Sequence, residues 1–213
     1  MIELETTLPT PPSVDVQPRS QPATPLFTRD QIQTLSQRSL WIGWGLFALN
    51  MILYLAAISS AALAESVGWQ AGFSVATAFA IVLLFIIGHD ACHGSFTPSR
   101  RANRWIGTLA FLPSLHPFSL WDLGHNRLHH RFTNLASRDY VWTPLSPREY
   151  ASLGSGSRWK YRFYRSLLGP LLYYLVEIWW PKMLFPRAAD VDEPKDIYGL
   201  ESALVLAYGI ALC

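Results

Sequence analysis

Two long stretches without a charged side chain constrain the fold of this chain more than any other feature of its sequence. Residues 39–64 and 66–88 contain no Asp, Glu, Lys or Arg, and only Glu65 lies between them. An α-helix rises about 1.5 Å per residue, so about 20 residues cross a hydrocarbon layer of about 30 Å. The sequence therefore predicts spanning helices at about residues 40–63 and 67–88, joined as a tight hairpin. A buried hairpin in a soluble protein is the alternative, and two uncharged runs of this length disfavour it.

The composition agrees with a chain that lies in a lipid bilayer. Of its 213 residues, 50% are hydrophobic and only 15% are charged, whereas a soluble domain has about a quarter of its residues charged. Nine tryptophans suit a protein that contacts lipid–water interfaces. The net charge of +2 and the lack of a basic stripe with interleaved aromatic residues disfavour nucleic-acid binding.

The basic residues around the hairpin predict its orientation. Arg29 and Arg38 precede the first run, and Arg100, Arg101 and Arg104 follow the second, whereas the connection between the runs has no Lys or Arg. Short loops rich in Lys and Arg stay on the cytoplasmic side of a membrane. We therefore expect both ends of the hairpin to lie on the cytoplasmic face.

The amino-terminal segment has a different composition from the rest of the chain. Residues 1–26 are rich in proline, threonine, serine and glutamine, which predicts a disordered tail ahead of a domain at residues 27–213. Its acidic residues Glu3, Glu5 and Asp15 disfavour an organelle transit peptide, and it has no apolar core of a signal peptide. We therefore expect a bacterial-type inner membrane or a photosynthetic membrane.

Three shorter apolar segments follow the hairpin. Residues 105–120 and 165–181 are interrupted by proline or glycine, and we interpret both as interfacial segments rather than spans. Residues 200–213 have the composition of the start of a further span. The predicted fold class is an all-α integral membrane protein, with a transmembrane hairpin plus cytoplasmic and interfacial helices. We expect the chain to be truncated before the remaining spans, so that the domain at 27–213 is incomplete.

The histidines are concentrated in two clusters that follow the hairpin. His89 and His93 are four residues apart, as are His125 and His129, and His130 comes directly after them. On an α-helix, residues four apart share a face, so each pair can direct two imidazoles at one point. His130 is turned by about 100° from its neighbour and could reach a second ion. Imidazole suits iron, zinc, copper and nickel, so the ligand type does not select one metal.

Other polar residues near the clusters are candidate partners of the ligands. Asp90, Asp122, Asn126 and Asp139 could accept the second ring N–H of a metal-bound histidine. Each could equally be a helix cap or an ion-pair partner. His116, between two prolines, has no partner at helical spacing, and we interpret it as structural.

These motifs resemble those of a known family. HDACH and HNRLHH, preceded by a hairpin of the predicted kind, resemble the first two of three histidine boxes in the membrane fatty acid desaturase superfamily. The surrounding GHDACHGSF and GHNRLHHRFTNLASRDYVWTPLS are most similar to its acyl-lipid branch, of the omega or delta-12 type. The resemblance covers about residues 38–213. It implies a non-haem centre of two iron ions, with family ligand positions matched by His89, His93, His125, His129 and His130.

The resemblance also implies an activity and its partners. It implies an enzyme that uses O2 to introduce a cis double bond into a fatty acyl lipid, with electrons from ferredoxin or cytochrome b5. The family's third box, a His-x2-His-His after two further spans, does not occur in this sequence. We therefore expect the chain to be inactive alone. The regioselectivity, the acyl chain length and the head group do not follow from these motifs.

Three other functions remain open from the sequence. A di-iron hydroxylase or ketolase of the same superfamily, acting on alkanes, acyl chains or carotenoids, would use the same boxes. An intramembrane zinc protease is more distant, because HDACH resembles His-Glu-x-x-His with Asp90 as the base, but the second box is then unexplained. A membrane metal-binding or assembly protein without catalytic activity is the third.

Overall fold

All regular structure in the described part of the chain is helical, which confirms the all-α part of the predicted fold class. The computed structural model describes residues 26–133, 135, 139, 141, 144–186 and 196–212, so the predicted disordered tail lies almost entirely outside the described residues. The chain divides into two compact units, Met1–Gln37 and Arg38–Cys213. The described part of the first unit contains helix α1, Arg29–Leu35, which begins with a capping box formed by Thr28 and Gln31.

The second unit opens with a helical hairpin. Helix α2 spans Leu40–Leu63 and helix α3 spans Val67–Cys92. Ser39 and Ser66 cap their first turns by accepting backbone N–H bonds, as expected of serine at this position. Both hairpin helices are apolar and long enough to cross a membrane, judged by length and composition alone. Insertion and orientation in a bilayer remain predictions. Because α3 continues past residue 88, the first histidine pair lies on its last turn.

The hairpin leaves much of its apolar surface uncovered. Trp41, Trp69 and Phe79 are 84%, 69% and 69% exposed. Contiguous apolar surface of this kind marks sites that contact lipid or another protein. It is the surface expected if α2 and α3 lie in a bilayer.

Helix α4, Arg100–Phe111, covers one side of the hairpin. Arg100 and Arg101 are exposed, whereas Ile106 and Ala110 are fully buried. These two side chains join a core that the hairpin helices complete: Phe47, Tyr54, Ala80, Leu84, Ile87, Ala102, Ile106 and Ala110. The helix begins five residues before the predicted interfacial segment 105–120. It ends in a 3-10 turn, Leu112–Ser114, after which Leu115 takes a left-handed conformation (φ 57°).

After α4, the described part of the chain forms helices shorter than those of the hairpin, two of them π-helical. In order they are α5 (Phe118–Asp122), π1 (Leu123–His129), α6 (His130–Phe132), α7 (Pro147–Ser152), α8 (Ser155–Tyr164), α9 (Gly169–Tyr173), π2 (Tyr174–Leu184) and α10 (Asp196–Ala211). A second core joins α5, π1, π2 and α10 through Leu120, Leu123, Ile178, Met183 and Tyr198. Segment 165–181 is therefore partly buried: Ile178 lies in the core, whereas Leu171 is 68% exposed.

A buried polar cluster holds α10 against the elements that follow the hairpin. Glu201 is 5% exposed and accepts hydrogen bonds from the backbone N–H and the hydroxyl of Ser119 and from Arg104. Each of these partners satisfies a buried carboxylate oxygen, as a buried charge requires. The sequence predicted only an apolar run here, and it gave no sign that Glu201 faces inward.

We expect one glycine of α3 to tolerate no side chain and another on the same helix to tolerate one. A Cβ atom at Gly88 would lie 2.5 Å from the Phe111 ring, whereas a Cβ at Gly72 would meet nothing within 4 Å. Overpacking costs about 1–3 kcal/mol, so Gly88→Ala should lower the stability of the protein by that amount. Gly72→Ala should leave it unchanged or raise it slightly, since alanine favours helix. Thermal denaturation in detergent measures both, and equal stability of the two variants contradicts the packing.

Candidate metal centre

Four histidines from the two clusters converge on one point. His89 lies on the last turn of α3 and His93 caps that helix, whereas His125 and His130 come from π1 and α6. One ring nitrogen of each lies within 4.8 Å of the others. His89 and His125 are half-buried, and His93 and His130 are exposed. The cluster therefore has a buried side and a side that is open to other molecules.

The nitrogen–nitrogen separations match those of ligands around one ion. His93 Nε2 lies 3.2 Å from His89 Nε2, and His125 Nε2 lies 3.0 Å from both His89 Nε2 and His130 Nε2. With metal–nitrogen bonds of about 2.0–2.1 Å, adjacent ligands are separated by about 2.9–3.4 Å. Each Nε2 has only one in-plane site, either a lone pair or an N–H. Hydrogen bonds therefore cannot satisfy both contacts of His89 and both of His125, whereas one central cation can.

The π-helical winding of the second box selects which histidines converge. The backbone N–H of His130 donates to the carbonyl of His125, an i→i+5 bond that defines a π-helix and recurs at functional sites. In this winding His130 follows His125 on the same face. An α-helix would have grouped His125 with His129, as the sequence analysis expected. The structure instead groups His130 with His125 and turns His129 to one side.

His129 is held by a buried carboxylate beside the four-nitrogen cluster. Its Nδ1 lies 3.1 and 3.0 Å from the two carboxylate oxygens of Asp139, a residue that is 3% exposed. Its ring remains next to the cluster, with ring centroids 5.9 Å from His125 and 5.7 Å from His130. A histidine that donates Nδ1–H to a carboxylate presents the Nε2 lone pair, which is the ligating arrangement.

The other three candidate partners divide into two roles. Asp90 Oδ1 lies 3.2 Å from Nδ1 of His89, so it can fix the tautomer that presents Nε2 to the cluster. Asp122 and Asn126 have no hydrogen bond to a histidine among the described contacts. Asn126 instead donates to the carbonyl of Cys92 at 3.0 Å and to Asp122 at 2.7 Å. These hydrogen bonds join the end of α3 to π1.

An aromatic group covers the buried side of the cluster. The ring of Trp121 stacks on His125, with centroids 5.0 Å apart, and meets His116 edge to face. His116 is buried, and its Nε2 lies 2.6 Å from the hydroxyl of Tyr174. His116 therefore lies behind Trp121 and not among the four converging histidines. Trp121 was not among the residues predicted from the sequence, although its position four residues before His125 was a usable signal.

Comparison with protein families identifies the chain. Residues 66–213, which contain both histidine clusters, match the model of the fatty acid desaturase family. The chain belongs to this family. The matched region contains all four of the converging histidines.

Curated desaturases are similar over part of their length. The chain is 36% identical over 103 residues to the sn-1 oleoyl-lipid 12-desaturase of Arthrospira platensis. It is 42% identical over 76 residues to a chloroplastic omega-6 fatty acid desaturase of Arabidopsis thaliana. It is 36% identical over 107 residues to the sn-1 acyl-lipid omega-3 desaturase (ferredoxin) of Synechocystis sp..

The matched segments cover 47%, 36% and 50% of this chain but only 29%, 17% and 26% of the three relatives. The chain therefore aligns with less than a third of each of these desaturases. No solved structure matches it significantly.

The electrostatics of the desaturase cluster favour neutral imidazoles. Burial, followed by the neighbouring histidines His130 and His89, lowers the pKa of His125 to about 4. Burial, followed by His89, also lowers the pKa of His93. A metal ligand must be the neutral imidazole. At neutral pH an incoming cation therefore does not have to displace a proton from these two rings.

We expect His125→Ala to weaken metal binding by at least about 100-fold. The substitution removes the Nε2 atom that lies 3.0 Å from Nε2 of both His89 and His130. Asp90→Asn should weaken it about 10–100-fold, the range typical of groups that orient a ligand. His116→Gln is the matched control and should bind metal like the wild type, since His116 faces Tyr174. Anaerobic titration of the purified chain with iron(II), followed by metal analysis, measures all three. Unchanged binding by His125→Ala contradicts the site.

We expect His116 to make the protein less stable in acid. Burial lowers the pKa of His116 to about 4, against about 6.5 in an unfolded chain. Between these values the unfolded state binds more protons, so stability falls as the pH falls from about 6.5 towards 4. His116→Gln should reduce the loss of stability between about pH 7 and about pH 4.5 by about 2–3 kcal/mol. Denaturant titration in micelles at both pH values tests this, and an equal loss in both proteins contradicts it.

Proposed function

We propose that this chain forms part of an acyl-lipid desaturase, which introduces a cis double bond into a fatty acyl chain with O2 and a histidine-ligated di-iron centre. The observation that carries the proposal is the convergence of four histidine nitrogens, from two separate clusters, in a member of the fatty acid desaturase family. The similarity to relatives named sn-1 oleoyl-lipid 12-desaturase and sn-1 acyl-lipid omega-3 desaturase supports the substrate class.

The ligand geometry supports a division of the histidines between two ions. His89, His93, His125 and His130 share one centre, and His129, oriented by Asp139, is available to a second ion beside it. Two irons held by these histidines would supply O2-dependent redox chemistry for the removal of one hydrogen from each of two adjacent carbons. Zinc has no redox chemistry and could not perform this reaction.

The chain's own residues orient the ligands and control access to them. Asp90 and Asp139 hold Nδ1–H of His89 and His129, so that the two Nε2 lone pairs are fixed before a metal binds. Trp121 covers one face of the His125 ring and keeps water from the buried side. His93 and His130 remain exposed, and this open side is where small molecules and an electron donor can approach.

The apolar parts of the molecule suit a lipid substrate. We assign the exposed surfaces of α2 and α3 to the bilayer, with the histidine clusters at its cytoplasmic face. An apolar cleft of about 250 Å³ lies between the turn at Leu115, Trp179 of π2, and Val205 and Ile210 of α10. A cleft of this size accommodates part of an acyl chain. Its walls are almost entirely apolar side chains, so it provides no polar group that would select a head group.

The name of one relative supports a proposal for the electron donor. The Synechocystis relative carries ferredoxin in its name, which supports ferredoxin over cytochrome b5 for this chain. A desaturation assay that supplies either purified ferredoxin or purified cytochrome b5 distinguishes the two electron donors.

The alternative functions predict different products or metals. A hydroxylase or ketolase of the same superfamily would leave an added oxygen in the product. A zinc protease needs a carboxylate that activates water, and catalytic zinc keeps about three protein ligands and an open position. Asp90 instead lies against Nδ1 of His89, and four histidines converge, which favours the desaturase.

Expression of the complete gene that contains this chain, in a host without acyl-lipid desaturases, tests the proposal. The wild type should produce new cis double bonds in the membrane lipids. His93→Ala and His129→Ala should each abolish them, because each removes a proposed metal ligand. Gas chromatography with mass spectrometry of the fatty acids measures the products.

His116→Gln is the control, since it also removes an imidazole but lies outside the proposed ligands. It should retain activity at an equal level of protein. Unsaturation that persists in both ligand variants contradicts the proposal, and oxygenated products support the hydroxylase.

A further inference from the structure

Helix α8 carries two arginines that contact the same aromatic ring. The guanidinium carbons of Arg158 and Arg162 lie 5.9 and 6.0 Å from the centre of the Tyr150 ring on α7. Arg162 Nε also donates to the Tyr150 hydroxyl at 2.7 Å, and Arg158 donates to the Ala151 carbonyl. Like charges four residues apart on a helix repel each other. In the described part of the chain neither arginine forms an ion pair, so an added anion between them would relieve this repulsion.

Two carboxylates on the elements that adjoin α8 form other contacts. Glu177 of π2 pairs with Lys160 at 2.6 Å and accepts from Tyr164 at 2.9 Å, which fixes a different side of α8. Glu149 of α7 accepts the backbone N–H of Ser146 in a capping box. Neither of these two carboxylates neutralises Arg158 or Arg162.

An open cleft of about 430 Å³ lies beside this arginine pair. Its walls are Leu145, Pro147, Tyr150, Tyr161, Arg162 and Arg165. The two tyrosines provide a partly apolar wall, and Arg162 lines the cleft beside them. Arginine presents a planar fork of donors that matches phosphate oxygens.

The neighbouring side of α8 is apolar and exposed. Trp159 is 69% exposed and stacks on Phe163, with ring centroids 5.5 Å apart. Leu167 and Leu168, which follow the helix, are 97% and 76% exposed. A helix with arginines on one side and tryptophan, phenylalanine and leucine on the other has the composition of an element that lies in the lipid–water interface.

We propose that α7 and α8 form a binding site for the phosphate of an anionic lipid head group, held by Arg158 and Arg162 while Trp159 and Phe163 contact its acyl region. Charge complementarity selects an anion, and the adjoining apolar side selects a lipid over a soluble phosphate. The site does not depend on chemistry at the histidines. It assigns a role to residues 155–168, which the desaturase proposal leaves unexplained.

The test is a binding titration of the full chain in a neutral detergent. The probes are dihexanoyl phosphatidylglycerol, dihexanoyl phosphatidylcholine and inorganic phosphate, and native mass spectrometry counts the bound molecules. Each basic residue contributes about fivefold to binding at an anionic surface. Arg158→Gln/Arg162→Gln should therefore bind phosphatidylglycerol roughly 25-fold more weakly than the wild type. Arg158→Lys/Arg162→Lys, which keeps both charges but loses the planar donor forks, should bind more tightly than the double glutamine variant and more weakly than the wild type.

The matched control is Arg100→Gln/Arg101→Gln, which removes the same charge from exposed positions on α4. It should bind like the wild type, and a loss equal to that of the α8 variant overturns the site. Equal wild-type affinity for phosphatidylcholine also overturns the proposal. Displacement of the lipid by an equal concentration of inorganic phosphate indicates a free-anion site and overturns the lipid assignment. This titration does not measure turnover, so loss of the lipid site would leave the desaturase proposal standing. Conversely, an inactive desaturase would leave the lipid-binding proposal standing.

Discussion

The junction between the end of α3 and π1 is the contact on which the candidate metal centre depends. Asn126 donates to the Cys92 carbonyl and to Asp122, so the end of one helix is hydrogen-bonded to the start of the second box. This junction places His89 and His125 with their Nε2 atoms 3.0 Å apart. Fixed donors of this kind lower the cost of ordering a site when an ion binds. The close packing of α4 on the hairpin supports the same geometry from the other side.

The centre combines a rigid, buried side with an accessible one. Burial lowers the pKa of His125, and Trp121 stacks on its ring, so this ligand is neutral and fixed. His93 and His130 are exposed. A catalyst that exchanges electrons and small molecules with its surroundings needs both properties, because a fully enclosed centre excludes its partners and a fully exposed one binds metal weakly. The arginine pair on α8 lies outside this centre and concerns how the molecule meets a charged lipid surface.

The sequence predicted the hairpin and both histidine pairs because these depend on local pattern. Residues 40–63 form helix α2, and both box motifs occupy helical segments. Asp90 and Asp139, two of the four candidate partners, contact a box histidine. The grouping of the second box could not be predicted by α-helical spacing, since π winding exchanges His129 for His130. The backbone N–H of His130 donates to the carbonyl of His125, and the spacing of the histidines along the sequence does not reveal this bond.

The sequence by itself determined which residues can be helical, which are apolar enough for a bilayer, and which can ligate a metal, because hydropathy and side-chain chemistry are local properties. Only the tertiary structure decided which nitrogens meet. It also decided that Glu201, in an apolar run, faces inward to Arg104 and Ser119, and that Arg158 and Arg162 share one ring on α7. These outcomes require contacts between segments distant in sequence. Such contacts are fixed by packing and by the need to satisfy buried polar groups.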